Sequence, residues 1–297
     1  MIWAEATDPK SFEEAITEKT KAIFIESLAN PGGIVCDIEA IAAIANAHGI
    51  PLIVDNTMAT PYLCRPIEHG AHIVVHSLTK FMGGHGNSMG GVIVDGGNFD
   101  WSATDRYPLL SAARPEYAGM KLHETFGDFS FAIACRVLGL RDLGAALSPF
   151  NAFQILTGIE TLPLRMEKHC RNAEKVAEWL SSNSKVKWVR YAGLPNDEFN
   201  PLAKKYVPEG AGSVFTFGLK GGYEAGVQLV SSLELISHLA NIGDTRSLII
   251  HPASTTHRQL SDEQKEAAGA GPEVIRISVG IEDPDDIISD LDSALNS

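Results

Sequence analysis

An α/β fold, with a mostly parallel sheet domain followed by a smaller C-terminal α+β domain, is predicted by three features of this 297-residue chain. Short apolar, β-branched runs alternate with segments of helical periodicity through the first half. Those runs are apolar almost throughout instead of at every second position, which implies a sheet covered on both faces and therefore mostly parallel. From Ser148 the spacing turns helical, and strand-like runs return only after Ser184. A boundary near residue 155 is expected, with one domain over 1–155 and a second over 156–297.

Residues 21–27 (KAIFIES) read as a buried central strand, and the Asn30-Pro31-Gly32-Gly33 cluster breaks the chain after it. Ile38, Ile41, Ala42, Ile44 and Ala45 recur at helical spacing between Asp37, a suitable N-cap, and Gly49, a suitable C-cap. Residues 51–56 (PLIVDN), 71–77 (AHIVVHS) and Gly91–Asp95 (GVIVD) are the next strands. The stretch from Asp100 to Phe131 is rich in Pro, Gly and aromatics without a period, so a long excursion over the surface is expected. Ile155, Ile159, Leu162 and the run from Met166 to Leu180 predict one long amphipathic helix, or two joined near Pro163. Strands are expected over 186–191, 213–219 and 274–279, with a helix over 223–238 between them. The lead into the first strand is short, so an edge of the sheet is expected to be missing.

Asp and Glu number 37 against 24 Lys and Arg, a formal net charge of −13. Nucleic-acid binders present clustered cations to phosphates, so that class is disfavoured, although a few local donors can still hold one phosphate. No apolar run has the length of a membrane span, and the N-terminus lacks a secretory pattern. Cys36, Cys64, Cys135 and Cys170 make no CxxC pair, so buried, reduced thiols in a cytoplasm are expected. His69, His72 and His76 lie along one strand region, but no carboxylate joins them in HExxH form and no metal is expected. His85 is expected to anchor backbone or line a site.

The segment with most chemistry is Val75-His76-Ser77-Leu78-Thr79-Lys80, followed by Gly83-Gly84-His85-Gly86-Asn87-Ser88. It places a lysine just past a buried strand, between small hydroxyls and a glycine cluster. Ligands of α/β sheets collect at the carboxyl ends of strands, so Lys80 points toward the expected site. Hydroxyls and a permissive backbone suit a phosphate, and a partly desolvated amine suits a Schiff base; a surface lysine before a flexible loop reads equally well. Asp55, at the end of another strand, could keep a pyridine-type nitrogen protonated, or simply cap a turn. No GxxxxGK[ST] occurs, which disfavours a Walker-type nucleotide site.

Taken together, Ser77-Leu78-Thr79-Lys80 and Asp55 resemble the Cys/Met-metabolism family of pyridoxal 5'-phosphate (PLP) enzymes. Three further segments resemble it in the same order: Glu26-Ser27-Leu28-Ala29-Asn30-Pro31, His251-Pro252-Ala253-Ser254-Thr255-Thr256-His257, and Arg276-Ile277-Ser278-Val279-Gly280-Ile281-Glu282-Asp283. The resemblance implies the PLP-dependent transferase fold of aspartate aminotransferase, fold type I. It implies that Lys80 carries PLP and shuttles protons, and that Asp55 pairs with the pyridine nitrogen. Ser77 and Thr79 would then bind the cofactor phosphate, Asn30 would lie near the ring oxygen, and Arg276 would clamp the substrate α-carboxylate. His85 through Asp95, Phe99-Asp100-Trp101, His123-Glu124-Thr125-Phe126-Gly127 and Asn241 in Asn241-Ile242-Gly243-Asp244 resemble the family's O-acetylhomoserine sulfhydrylases, with Asn241 placed to bind the substrate carboxylate.

That branch implies γ-replacement on O-acetyl-L-homoserine by sulfide or a thiol. A cystathionine γ-synthase or methionine γ-lyase activity is the alternative, and a non-catalytic truncated remnant is another. Small-molecule substrates and a homo-oligomer, dimer or tetramer, are the implied partners, with no nucleic acid and no membrane. Family members carry roughly a hundred or more further N-terminal residues, with a ring-stacking tyrosine, a glycine-rich phosphate turn and a Tyr/Arg arm. No counterpart is seen here, so an N-terminally incomplete PLP domain is expected. Each missing charge-assisted hydrogen bond would weaken phosphate binding by roughly 1.5–3 kcal/mol.

Overall fold

Helix α1 (Pro9–Ala15), capped by the Asp8 carboxylate on Lys10 N at 3.0 Å, leads into a four-stranded sheet. Its strands are β1 (Ile23–Glu26), β2 (Leu52–Asp55), β3 (Ile73–Ser77) and β4 (Gly91–Asp95), in spatial order β1-β2-β3-β4. The first three are parallel, and β4 returns antiparallel to β3 with Ser77 opposite Gly91. This computed structural model describes residues 1–31 and 33–297; Gly32, within the expected chain break, lies outside the described residues.

Parallel strands need crossovers, and α2 (Ile38–Ala47) supplies the first. Asp37 caps it, accepting from Ala40 N at 3.3 Å, and Ile38, Ile41, Ala42 and Ala45 are buried on one side. Asp37 also accepts from the Tyr206 hydroxyl. Asp37→Ala is therefore expected to cost about 1–2 kcal/mol of unfolding free energy, the range for a lost cap, measured by denaturant titration. A loss within the experimental scatter would show that the helix does not depend on this cap.

β1 is an edge of the sheet formed by the described residues, not a central strand, and the cover is complete only at the middle strands: Val54 and Val74 are buried on one face and Ile73 on the other, while the outer strands are partly open. Phe24 in β1 is 57% exposed and Ile93 in β4 is 51% exposed. The reason is physical: an apolar run marks a face that can be buried, without saying whether the same chain supplies the cover. The stretch from Asp100 to Phe131 is likewise more than a surface excursion. It folds into α4 (Pro108–Ser111) and α5 (Leu122–Phe126), after short α3 (Thr60–Leu63) on the β2–β3 crossover and before α6 (Ser130–Ala134). Trp101, Leu110, Leu122 and Ala134 bury themselves with Ile73 in a second small core, and Trp101 stacks on Phe131. Aromatic packing without helical period leaves no periodic trace to read.

The helical stretch is two helices, α7 (Pro149–Glu160) and α8 (Leu162–Ser182), broken at Thr161 with Pro163 in the first turn of α8. Met166, Ala173, Val176, Ala177 and Leu180 of α8 are fully buried. They share one core cluster with Val54 and Val74 of the first sheet and Phe215, Phe217, Ile275 and Ile277 of the second. Burial at roughly 1.5–3 kcal/mol per large aliphatic side chain makes α8 the beam that ties both sheets.

The second sheet has the order β5-β6-β9-β8-β7. It is built from β5 (Val186–Arg190), β6 (Val214–Leu219), β7 (Ser237–His238), β8 (Leu248–Ile250) and β9 (Val274–Ser278). Around these pack α9 (Asn200–Tyr206), α10 (Gly222–Ser232), α11 (Asp262–Ala267) and α12 (Pro284–Asn296). The helix expected over 223–238 stops at Ser232, and Ser237–His238 pairs parallel with β8. Asp290 of α12 explains the stop: its carboxylate takes the backbone N–H groups of Glu234, Leu235 and Ile236 at 2.9, 3.1 and 2.9 Å. Among the described residues no helix is long and apolar enough to cross a membrane.

Candidate active site

Glu26, Asp55 and Ser77 end β1, β2 and β3, so they stand along one carboxyl edge of the sheet. That edge is where side chains from several parallel strands converge. Lys80 follows in a single turn, Leu78–Met82, that departs from helical dihedrals at Lys80 itself (φ −92°, ψ −134°). The loop from 78 to 90 is closed at its base by Leu78 N donating to Gly90 O at 2.9 Å. Thr79 reinforces the closure, its Oγ1 accepting from Gly90 N at 3.1 Å and donating to Gly90 O at 3.4 Å.

The Lys80 amine donates to Asn241 Oδ1 at 2.5 Å. Arg276, on β9, donates to Asn241 O at 3.2 Å and to Asn30 Oδ1 at 3.4 Å. Asn30 N in turn donates to Glu26 Oε2 at 3.0 Å. Lys80, Asn241, Arg276 and Asn30 are thus one hydrogen-bonded chain that bridges the two sheets. Asp55, Ser77 and Thr79 lie outside it. Asp55 accepts from Thr57 N at 2.9 Å with one oxygen, and Ser77 N donates to Thr57 Oγ1 at 2.8 Å.

Burial lowers the Lys80 amine below the ordinary lysine range, and the Arg276 charge lowers it further. Arg276 keeps a buried Nε without a hydrogen-bond partner among the described residues. Burial raises the Glu26 carboxyl, the Asn30 N–H pulls it back in part, and Asp55 beside it raises it again. Two cationic side chains separated by a neutral amide suit an anionic ligand. An amine that can lose its proton, a carboxylate with one oxygen uncommitted among the described residues, a hydroxyl and a guanidinium together fit PLP, which combines an aldehyde, a ring nitrogen and a phosphate.

The remaining motif residues hold the frame. His251 pairs its ring nitrogens with Pro272 O at 2.8 Å and Ser254 Oγ at 2.9 Å. Glu282 accepts from Ser247 N and Oγ at 2.6 and 3.0 Å, and Asp283 caps α12. His72 engages Leu52 N and Asn46 Oδ1, a structural role, and His85 anchors to Gly83 O at 2.7 Å. Cys36, Cys64 and Cys170 are buried and their thiols are pushed up to about 12, which keeps them protonated. Sequence reasoning passed over Thr57, which supports both Asp55 and Ser77. Its position two residues past a strand-end carboxylate is a turn signature that could have marked it.

Known proteins match this chain over nearly its whole length. A profile of the family described as Cys/Met metabolism PLP-dependent enzymes matches residues 1–296. The chain is 49% identical over 304 residues to an O-acetyl-L-homoserine sulfhydrylase of Leptospira meyeri, covering 99% of this chain and 69% of that protein. It is 51% identical over 288 residues to O-acetyl-L-homoserine sulfhydrylase 1 of Thermus thermophilus, covering 97% and 68%. A crystal structure from Campylobacter jejuni, of a protein described as an O-acetylhomoserine (thiol)-lyase, superposes with a TM-score of 0.92 at 43% identity, over 98% of this chain and 69% of that one. That protein holds N'-pyridoxyl-lysine-5'-monophosphate. The mixed sheets and their helices are accordingly the fold type I α/β class of PLP enzymes. Matches at close to one-half identity extend over nearly the whole chain, both sheets included, so the likeness is one of descent: the chain belongs to the Cys/Met metabolism PLP-dependent enzyme family.

Proposed function

We propose that the protein catalyses γ-replacement on O-acetyl-L-homoserine. Sulfide or a thiol takes the place of acetate on Cγ, so the products are acetate and homocysteine, or methionine from methanethiol. The observation that carries the reading is the Lys80 amine, hydrogen-bonded to Asn241 and lowered by burial and by Arg276. Relatives named O-acetyl-L-homoserine sulfhydrylase, and a homocysteine synthase of Schizosaccharomyces pombe 49% identical over 290 residues, support the substrate. The acting form is proposed to be a cytoplasmic homo-oligomer, a dimer or tetramer.

PLP, when bound, supplies an electron-accepting ring next to the reacting carbon. Lys80 would hold it through the amine, and the uncommitted Asp55 oxygen would keep its ring nitrogen protonated. Ser77 and Thr79 would face its phosphate. The Thr79 proton now rests on a long, weak bond to Gly90 O, which a phosphate oxygen would outcompete. Asn30 has its oxygen on Arg276, and its amide N–H₂, which donates to no other group among the described residues, would face a ring oxygen.

Lys80 would then take the substrate α-proton, for which its nitrogen must be neutral. A lowered pKa increases the neutral fraction near pH 7, so burial and Arg276 both favour this role. Arg276 would hold the α-carboxylate through its planar fork, with Asn241 alongside. Arg276→Gln is expected to raise KM for O-acetyl-L-homoserine about 30-fold, roughly 2 kcal/mol for a lost charge-assisted bond. An unchanged KM would place the carboxylate elsewhere.

The reading is tested by following acetate, homocysteine and α-ketobutyrate from O-acetyl-L-homoserine with and without sulfide. Acetate matched by homocysteine, dependent on sulfide, is the expected result. Release of α-ketobutyrate regardless of sulfide would replace it with a γ-lyase. No acetate in either condition would sink the substrate assignment.

A further inference from the structure

Arg165, in the first turn of α8, is only 5% exposed and makes its hydrogen bonds to neutral oxygens. Its Nη1 donates to Phe81 O at 2.7 Å. Its Nη2 donates to Gly158 O at 2.7 Å and to Met82 O at 3.3 Å, and its Nε donates to Thr161 Oγ1 at 3.2 Å. Phe81 and Met82 are the two residues after Lys80, in the turn whose helical dihedrals fail at Lys80. Their carbonyls end that turn and carry its partial negative charge, which favours a cation there. A planar guanidinium, with donors in fixed directions, can satisfy several such oxygens at once, whereas an ammonium cannot match the geometry.

The close approach is built into the sequence. A Cβ on Gly84 would run into the Arg165 guanidinium, and a Cβ on Gly158 would run into the Gly83 carbonyl. His169, one helical turn beyond Arg165, packs edge-on against the Phe81 ring at 5.3 Å and donates from Nδ1 to Val279 O at 2.7 Å. Thr245 N, in the loop that follows Asn241, donates to Gly84 O at 3.0 Å. The segment from Lys80 to Gly84 is therefore held both by α8 and by the loop between β7 and β8.

We propose that Arg165 is a positioning residue for Lys80: its fork fixes the carbonyls of Phe81 and Met82, and through them the direction in which the Lys80 amine leaves the turn. The inference rests on the reading that Lys80 carries PLP. Arg165 touches neither substrate nor cofactor in this role; it acts through the Lys80 backbone.

The full chain, its Arg165→Lys and Arg165→Met variants, and Arg171→Met at an exposed position on the same helix are incubated with PLP across pH 6–10. Each sample is quenched with borohydride, and the mass increase on the Lys80 peptide is followed with time. Thermal melting without PLP is measured in parallel. Arg165→Lys and Arg165→Met are both expected to load about tenfold more slowly near pH 7, with the midpoint of the pH profile about one unit higher as Lys80 becomes better solvated. Arg171→Met should match the parent chain. Arg165→Lys keeps the charge and loses the fork, so loading at the parental rate by a folded Arg165→Lys overturns the proposal. Slowing that only mirrors a smaller folded fraction also overturns it. Thr161→Val removes the anchor under Nε together with the weak Thr161 Oγ1 to Gly158 O bond at 3.3 Å, and is expected to load about threefold more slowly with a melt within a degree or two of the parent. Should Arg165→Lys not fold, a parental rate in Thr161→Val overturns the proposal instead. A parent chain that takes no PLP at Lys80 overturns the functional reading and this inference together, while a parent that loads beside unaffected variants overturns this inference alone.

Discussion

Lys80→Ala is expected to leave no PLP fixed to the chain's Lys80 peptide after borohydride and to lower turnover of O-acetyl-L-homoserine roughly 10⁴-fold or more. The Lys80 amine is the one on Asn241, beside Arg276, and its lowered pKa suits both covalent capture of an aldehyde and proton transfer. Lys80→Arg sharpens the test. A guanidinium keeps the positive charge that would attract an anion but cannot take the amine's place as a nucleophile, so this variant is expected to be as inactive as the alanine one. Activity in Lys80→Arg with none in Lys80→Ala would reduce Lys80 to an electrostatic partner. Neither variant is expected to melt lower than the parent, because each relieves or leaves unchanged the burial of an ammonium next to Arg276. Measured loading at full parental level in Lys80→Ala would end the assignment of the cofactor to this residue.

Acid should weaken the fold through His169, by about 3 kcal/mol between pH 6.5 and pH 4. Burial lowers this imidazole from an ordinary 6.5 to about 4, with the Arg165 charge adding to the shift and the Val279 carbonyl opposing it. Its Nδ1 proton is committed to Val279 O, and Nε2 is buried with no partner among the described residues. A second proton would have to sit on Nε2, facing no acceptor. Between pH 6.5 and about 4 the unfolded chain binds a proton on this residue that the folded chain does not, so stability is full above 6.5 and falls as pH drops. Denaturant titrations of the parent and His169→Gln at half-unit steps should show the parent losing more on acidification. His72, His76 and His251 are also lowered by burial, so the variant keeps part of the slope, and the difference between the two proteins is due to His169. Parallel curves would mean that His169 is protonated without cost in the fold. The Lys80 turn should feel the same titration, because the His169 ring packs on Phe81.

What could be read along the chain was whatever depends on near neighbours. An apolar run followed by Ser77, Thr79 and Lys80 marks a strand end carrying polar groups, and Leu52–Asp55 marks another. Asp37 and Gly49 bracket α2 within a dozen residues, and both ends are where local capping chemistry puts them. Arg276 and Asn241 were legible as members of ordered motifs, because each segment keeps its own short pattern whatever lies between. Tertiary structure decided the rest. The helix predicted over 223–238 obeyed its own periodicity until Asp290, more than fifty residues away, took the backbone donors of Glu234 to Ile236 and ended it. β1 became an edge because pairing partners are a property of the assembled sheet, and the aromatic stretch around Trp101 became a core because rings pack without a period. Arg165 was invisible for a related reason. On its own helix it is one more cation, and only when α8 is laid against the Lys80 turn do Phe81 O, Met82 O and Gly158 O converge on its fork. Local sequence determines which groups stand at a strand end or a helix cap, since those choices are settled by backbone geometry over a few residues. Which distant donors and acceptors those groups meet is settled by packing, since a buried polar group takes whichever partner the completed fold brings within reach.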